Sequence, residues 1–408
     1  MKHPPRTCPV CLDGRRRLLF RQQFSSFSEG SLMEGYDVAV CEACGAGYAD
    51  DIPSQRVFDT YYAEMSKYEY SVREGLPSQS DQERFREVVS IATPYLSRSA
   101  SIADVGCATG GLLAEFKRQG FTNLVGFDPS PACADAAGRL YGLKVIKASI
   151  HDIRKIEDRF DAIVLTGVLE HLRDVDESLG ALSGLLKPGG LVYIEVPDAT
   201  RYYEWYSAPY QFFSMEHVNF FSPGSLTNLL ARHRFDCLQT TRVKRYLGPR
   251  AVEPTIAGVF ALQGEGVPIR PPVFDAETGP TLGRYIEQSA RLEEGIHAII
   301  AELAETKVPL AVWGAGTHTL RLLETSALAR ARLVAFIDSN VRYQGKTLHG
   351  VPIIGPDKFE DRAATILISS HVAEGEIAET IEKRLQWPNR VVRLYGQAPL
   401  EAAPPAPA

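Results

Sequence analysis

The chain's 408 residues are 45% hydrophobic and 23% charged, an ordinary globular composition with material for two or three cores. A net charge of −6 excludes a broad basic footprint for nucleic acid and favours a small or carrier-bound substrate. No apolar run approaches the roughly 20 residues of a membrane helix. Met1 to Arg6 lead into a cysteine pair without the apolar core of a secretion signal, so no membrane partner and a cytoplasmic location are expected.

The first unit is expected over residues 1–75. Cys8-Pro9-Val10-Cys11 and Cys41-Glu42-Ala43-Cys44 are two CxxC knuckles. Each can present two thiolates from a tight turn, and together they predict a tetrahedral four-thiolate zinc site. With every ligand supplied by protein, such a metal is structural and staples a small module. Redox dithiols or free thiols are the alternative. Val38 to Val40 reads as a strand feeding the second knuckle. Phe58 to Tyr62 and Lys67 to Tyr70 form a tyrosine-rich segment, expected to pack between domains or, through Tyr68 or Tyr70, to line the mouth of a site.

The second unit is expected over 76–245. A helix with apolar residues at Phe85, Val88, Val89 and Ile91 leads into the strand, turn and helix of Ala100 to Phe116. Gly106 and Gly110 let the turn adopt angles a side chain forbids and leave room for a ligand against the backbone. The next strand, Leu124 to Asp128, ends in a carboxylate that can accept ribose hydroxyls. Further strands are expected near Leu143 to Ile146, at Phe160 to Leu165 and at Gly190 to Glu195. A dehydrogenase would use the same turn to seat a pyrophosphate, so an inert or NAD-binding Rossmann domain is the competing reading.

DVGCATGG, GFDPS, FDAIVLTGVLEHLRDV and LLKPGGLVYIEVPD, in this order, resemble the successive motifs of class I S-adenosylmethionine-dependent methyltransferases. The resemblance implies an α/β Rossmann-like core. It places Asp104, Gly106, Cys107 and Gly110 around the methionine part of the cofactor, and Asp128 with Pro129 at the ribose. Ser149 and Ile150 fall near the adenine, and Thr166 ends the fourth strand. Ala108 stands where many such turns have glycine, and Ser149 where many have an acidic residue. The thiols of Cys107 and Cys133 are expected to be small fillers.

Glu170 and His171 follow the fourth strand, so they should face the ligand crevice beside the transferring methyl, with His171 either catalytic or packing the pocket. Residues 198–222 hold Tyr202, Tyr203, Trp205, Tyr206, Tyr210, Phe212, Phe213 and the dyad Glu216-His217. So aromatic an insertion reads as a lid over the acceptor, or else as a hydrophobic flap over the sheet. Tyr202, Trp205 and Asn219 are its candidate substrate contacts. His217 is the best general base in the chain, because an imidazole titrates near neutral pH and a carboxylate such as Glu216 can orient it. A helix follows Ser222-Pro223 and ends near Arg234-Phe235.

The prolines and glycines of residues 246–280 predict a loop-like crossing, followed by a long amphipathic helix from about Leu282 to Thr306, the two making a linker over 246–306. A second, smaller Rossmann-like domain is expected over 307–397. In it Val308 to Gly316 repeats the strand and glycine turn, and Leu333 to Asp338 the strand ending in a carboxylate. This domain is expected to close over the substrate as a scaffold or to recognise a sugar nucleotide through Gly314, Gly316 and His318. Residues 398–408, rich in Pro and Ala, read as a disordered tail.

A four-cysteine module, a methyltransferase core with an EH dyad and a second nucleotide-binding-like domain together resemble the three-domain sugar-nucleotide C-methyltransferases. The resemblance implies a keto-deoxysugar acceptor, in natural-product or surface-glycan biosynthesis, methylated through an enolate, with Glu216, His217 and His171 catalytic. That family commonly has tyrosine two residues before the glutamate, where this chain has Ser214. O-methylation of a saccharide or natural-product hydroxyl, needing only one base, is the alternative, and a noncatalytic ligand sensor a minor one. A monomer or dimer is expected.

Overall fold

The computed structural model describes residues 3–64, 76–150, 152–248 and 251–395. Tyr68, Tyr70 and the tail at 398–408 lie outside them. Among the described residues three sheets form.

The N-terminal sheet is antiparallel: β1 (Arg16–Gln23), β2 (Gly35–Cys41) and β3 (Gly47–Asp50). Its fourth strand arrives from far along the chain. Helix α1 (Gln55–Glu64) and helix α2 (Gln79–Ala92), the latter held at its start by a Ser78–Asp81 capping box, lead to the central sheet.

That sheet is built in order from β4 (Ser101–Val105), α3 (Gly111–Arg118), β5 (Asn123–Asp128), α4 (Pro131–Tyr141), β6 (Val145–Lys147), β7 (Phe160–Thr166), α5 (Val175–Leu185) and β8 (Leu186–Pro197). Next, β9 (Asn219–Phe220) leaves to complete the N-terminal sheet, pairing Tyr48 with Asn219 and Gly47 with Phe220. Then α6 (Pro223–Arg232), β10 (Phe235–Gly248) and β11 (Ala251–Leu262) return to the centre. The spatial order is β10-β11-β8-β7-β4-β5-β6, with β8 to β6 parallel and the β10–β11 hairpin antiparallel. This is the class I methyltransferase arrangement of a Rossmann-like sheet. Strand order reverses at β4, whose neighbours are β5 and β7, so the crevice opens beyond the carboxyl ends of β4 and β7.

The hairpin corrects the expected crossing loop: residues 251–262 are strand, paired with both β10 and β8. Pro254 is tolerated because the β8 ladder begins one residue later, at Thr255, so its missing N–H costs that ladder nothing. Only from Gln263 does the chain leave regular structure, until α7 (Thr278–Thr306).

The third sheet comprises β12 (Leu310–Trp313), α8 (Thr317–Thr325), β13 (Leu333–Ile337), β14 (Thr347–Leu348), β15 (Val351–Ile354), β16 (Thr365–Ile368) and β17 (Val391–Arg393). It is parallel except for β14, in the order β14-β15-β13-β12-β16-β17.

The aromatic stretch 198–222 holds these units together. Tyr202 stacks on Phe212 at 4.3 Å, both pack on Tyr285 of α7, and Tyr210 stacks on Phe20 of β1 at 4.5 Å. These rings share one core with β2, α7 and β12. A lid must expose its rings when it opens, whereas Tyr202 and Phe213 are completely buried. Most of the stretch is therefore interdomain core, neither the expected lid nor a flap over the sheet edge, and of its 214–217 end Glu216 lines the crevice. Arg321 of α8 fixes the junction. It pairs with Glu293 of α7, hydrogen-bonds Gln22 of β1 and lies 4.1 Å from the Tyr210 ring.

Candidate active site

The turn between β4 and α3 takes the shape its glycines predict: Gly106 and Gly110 have φ of +78° and +79°. A Cβ on Gly106 would lie 2.7 Å from the Val168 side chain, so only glycine fits without displacing the crevice wall. Ala108 also has positive φ, +46°, where a side chain costs about 1 kcal/mol. Asp128, at the end of β5, ties the turn down: one carboxylate oxygen accepts from the Ala108 N–H at 2.8 Å and the other from the Ser130 N–H at 2.9 Å.

The crevice beside this turn is lined by Gly106, Asp128, Pro129, Ser149, Ile150 and Thr166, and on its far side by His171 and Glu216. The structure thus brings together most of the residues read from the motifs. Asp104 lies beneath them, fully buried, and neither carboxylate oxygen has a hydrogen-bond partner among the described residues. Burial, reinforced by the charge of Asp128, pushes its carboxyl up to about 7. An unpartnered buried carboxyl under a glycine turn fits a cationic ligand such as an aminoacyl sulfonium. Cys107 turns its thiol away, into an apolar cluster with Leu113 and Leu143. Its contribution to the crevice is backbone, as a filler thiol requires. Gly110 starts α3 from behind the turn.

His171 stands on the short turn after β7 and His217 on the turn after the aromatic core, and their rings meet edge to face at 4.8 Å. Ser214 builds the second turn: its hydroxyl accepts from the Glu216 and His217 N–H groups at 3.3 and 3.2 Å. Two tyrosines of α1 then reach across. The Tyr61 hydroxyl donates to Glu216 Oε1 at 2.9 Å, and the Tyr62 hydroxyl lies 2.9 Å from His171 Nδ1. Burial, then the Glu216 charge, raises both phenols, so they stay protonated. Sequence reasoning missed this pair, assigning phenols to Tyr68 and Tyr70. The available signal was the tandem tyrosine ending the same tyrosine-rich segment. Glu170, beside His171, is buried and raised to about 8, chiefly by desolvation.

The other candidate contacts lie elsewhere. Asn219 is buried, donating to the Leu169 and Leu172 carbonyls at 2.7 and 2.8 Å and accepting from Arg6 at 2.8 Å. Tyr202 belongs to the interdomain core, and Trp205 lies under Lys244 Nζ at 3.9 Å. Gly314, Gly316 and His318 belong to the third sheet's own turn. In the N-terminal module the sulfurs of Cys8, Cys11, Cys41 and Cys44 lie within 4.8 Å of one another, with two pairs at 3.6 and 3.5 Å. Four ligands at about 2.3 Å around a tetrahedral zinc are about 3.8 Å apart, so the set fits such an ion.

Residues 79–240 match a family model described as a methyltransferase domain. The chain carries a methyltransferase domain. Over 273 residues, 63% of this chain and 63% of the relative, it is 26% identical to C-methyltransferase NovU of Streptomyces niveus. Over 148 residues, 32% of this chain and 56% of the relative, it is 32% identical to a ubiquinone biosynthesis O-methyltransferase of Bradyrhizobium sp. (strain ORS 278). The chain therefore spans between half and two thirds of the length of these curated relatives. Among solved structures, the 1,6-didemethyltoxoflavin-N1-methyltransferase of Burkholderia thailandensis, with bound S-adenosylhomocysteine, covers 54% of this chain and 96% of its own at 20% identity and a TM-score of 0.42. No helix among the described residues is long and apolar enough to cross a membrane.

Proposed function

We propose that the chain transfers a methyl group from S-adenosylmethionine to carbon, the acceptor being a keto-deoxysugar nucleotide. One observation carries the reading: His171, Glu216 and Tyr62 line the crevice that the Gly106 turn and Asp128 open, with the His217 ring edge to face on His171 and the Tyr61 phenol on Glu216. The cofactor, when bound, supplies an electrophilic methyl on a sulfonium. Asp128 would hold its ribose and the Asp104 carboxylate would balance its positive charge.

The protein's own task is a proton. A base takes the hydrogen beside the acceptor's ketone, the C–H pair becomes an enolate, and that carbon attacks the methyl. His217 is the base. Tyr61 holds Glu216 in place at 2.9 Å, and Tyr62 braces His171 where a donor can stabilise the enolate oxygen. The phenol absent at Ser214 is thereby supplied from α1. The likeness to NovU over 273 residues supports this choice of nucleophile. The likeness to ubiquinone O-methyltransferases favours a second reading, in which His217 deprotonates a hydroxyl. We further infer that the four cysteines hold structural zinc.

Incubation with keto-sugar nucleotides and S-adenosylhomocysteine in deuterated water separates the two. Carbon methylation predicts deuterium beside the ketone in mass spectra, lost in His217→Ala. O-methyl products without exchange would establish the second reading, and no methylated product from any keto-sugar or glycoside would overturn both.

A further inference from the structure

At the wall of the same crevice, around His171, lies a constellation that methyl transfer does not require. Glu170 and His171 follow β7, His217 comes from the Ser214 turn, and one ligand-type atom from each lies within 4.8 Å of the others. His171 Nδ1 is engaged by the Glu216 carbonyl at 3.1 Å and the Tyr62 hydroxyl at 2.9 Å, which turns Nε2 toward Glu170 Oε1 at 3.9 Å. A metal-binding imidazole is held this way, one nitrogen fixed by a carbonyl or hydroxyl and the other presented to the ion. The Glu170 carboxyl is buried, and its Oε2 has no hydrogen-bond partner among the described residues. Two imidazoles and a carboxylate, of which His171 lines the crevice wall, are the donor set of zinc and its neighbours and would leave coordination positions for solvent or substrate. Ligand atoms around such an ion sit about 3.3 Å apart, so the three side chains need move by only about 1 Å.

We propose that Glu170, His171 and His217 form a second divalent transition-metal site, distinct from the four-thiolate one, and that filling it halts methyl transfer. The inhibitory half rests on the function proposed above: an ion on His217 takes the lone pair that would accept the acceptor's proton. The site would make the enzyme sensitive to free zinc.

The test is zinc binding by the whole chain, titrated against a chromophoric chelator while methyl transfer is followed in parallel. Wild type should take up one tight equivalent and a second, weaker one, with turnover falling as the second binds and returning when mild chelation removes it. In Glu170→Gln and in His217→Asn the second equivalent should weaken at least tenfold while the first persists, which also shows that the variants are folded. A single equivalent in wild type, or a second equivalent unchanged in both variants, would overturn the site. Undiminished turnover with both equivalents bound would overturn the inhibition. Two equivalents on a chain that methylates nothing would sink the methyl-transfer reading and leave the site standing.

Discussion

Two glycine turns cap the two parallel sheets, one after β4 and one after β12, and both are tied to a carboxylate on the neighbouring strand. Asp128 accepts from the Ala108 and Ser130 N–H groups at 2.8 and 2.9 Å; Asp338 accepts from the Ala315 and Asn340 N–H groups at 2.7 and 2.8 Å. What differs is the space beyond. The first turn runs through three positive-φ residues before α3 begins, and its mouth is open. The second passes through Gly314, Ala315 and Gly316 before α8 begins at Thr317, with only Gly314 at positive φ. There the hydroxyls of Thr319 and Ser369 donate to the Gly314 carbonyl at 2.6 and 3.2 Å. His318 lies half-buried against Tyr395, and desolvation lowers its pKa well below the usual imidazole value. A carboxylate tied to a glycine turn thus closes both parallel sheets, while the two turns differ in length and in the side chains around them.

The contrast can be sharpened by substitution on both sides of it. The largest effect should come from His217→Ala, which is expected to slow turnover by about two orders of magnitude or more with cofactor affinity kept. His318→Ala should leave turnover within a few-fold of wild type. Steady-state kinetics with direct cofactor titration checks both, and near-wild-type rates in His217→Ala would place the base elsewhere. Tyr62→Phe removes one hydrogen bond to a catalytic imidazole, worth about 1 kcal/mol, and should lower kcat by about fivefold.

Protonation offers a gentler probe. Asp104 is raised to about 7 by burial first and the Asp128 charge second. It is neutral below that pH and anionic above it, and a cationic ligand favours the anion. Affinity for S-adenosylmethionine should therefore fall as pH drops below about 7, and Asp104→Asn should flatten the profile in titrations across pH 5.5–8.5. Asp338 carries both turn N–H groups on its own oxygens, and Asp338→Asn should leave that profile unchanged. The smallest effect is Ala108→Gly. It relieves a positive φ but adds chain entropy to the unfolded state, so stability should rise by no more than about 1 kcal/mol in denaturant melts.

Much of the central sheet was legible because its strands are continuous apolar runs ending in Asp104, Asp128 and Thr166, and periodicity carries that signal. The β10–β11 hairpin was not, since proline within a strand looks like a linker until the neighbouring ladder shows where an N–H is dispensable. The aromatic run of 198–222 was ambiguous for a physical reason: a lid and an interdomain core need the same rings, and only burial separates them. Tyr61 and Tyr62 illustrate the limit most clearly. They lie 155 and 109 positions from Glu216 and His171, and long-range ties such as the pairing of β3 with β9 and the Gln55–Asp174 hydrogen bond bring α1 to the crevice.

Calorimetric titration with S-adenosylhomocysteine tests the central claim most directly. One site per chain is expected, abolished by Gly106→Ala and unaffected by Gly314→Ala. Two sites per chain, no binding at all, or loss of the site through Gly314→Ala alone would contradict it.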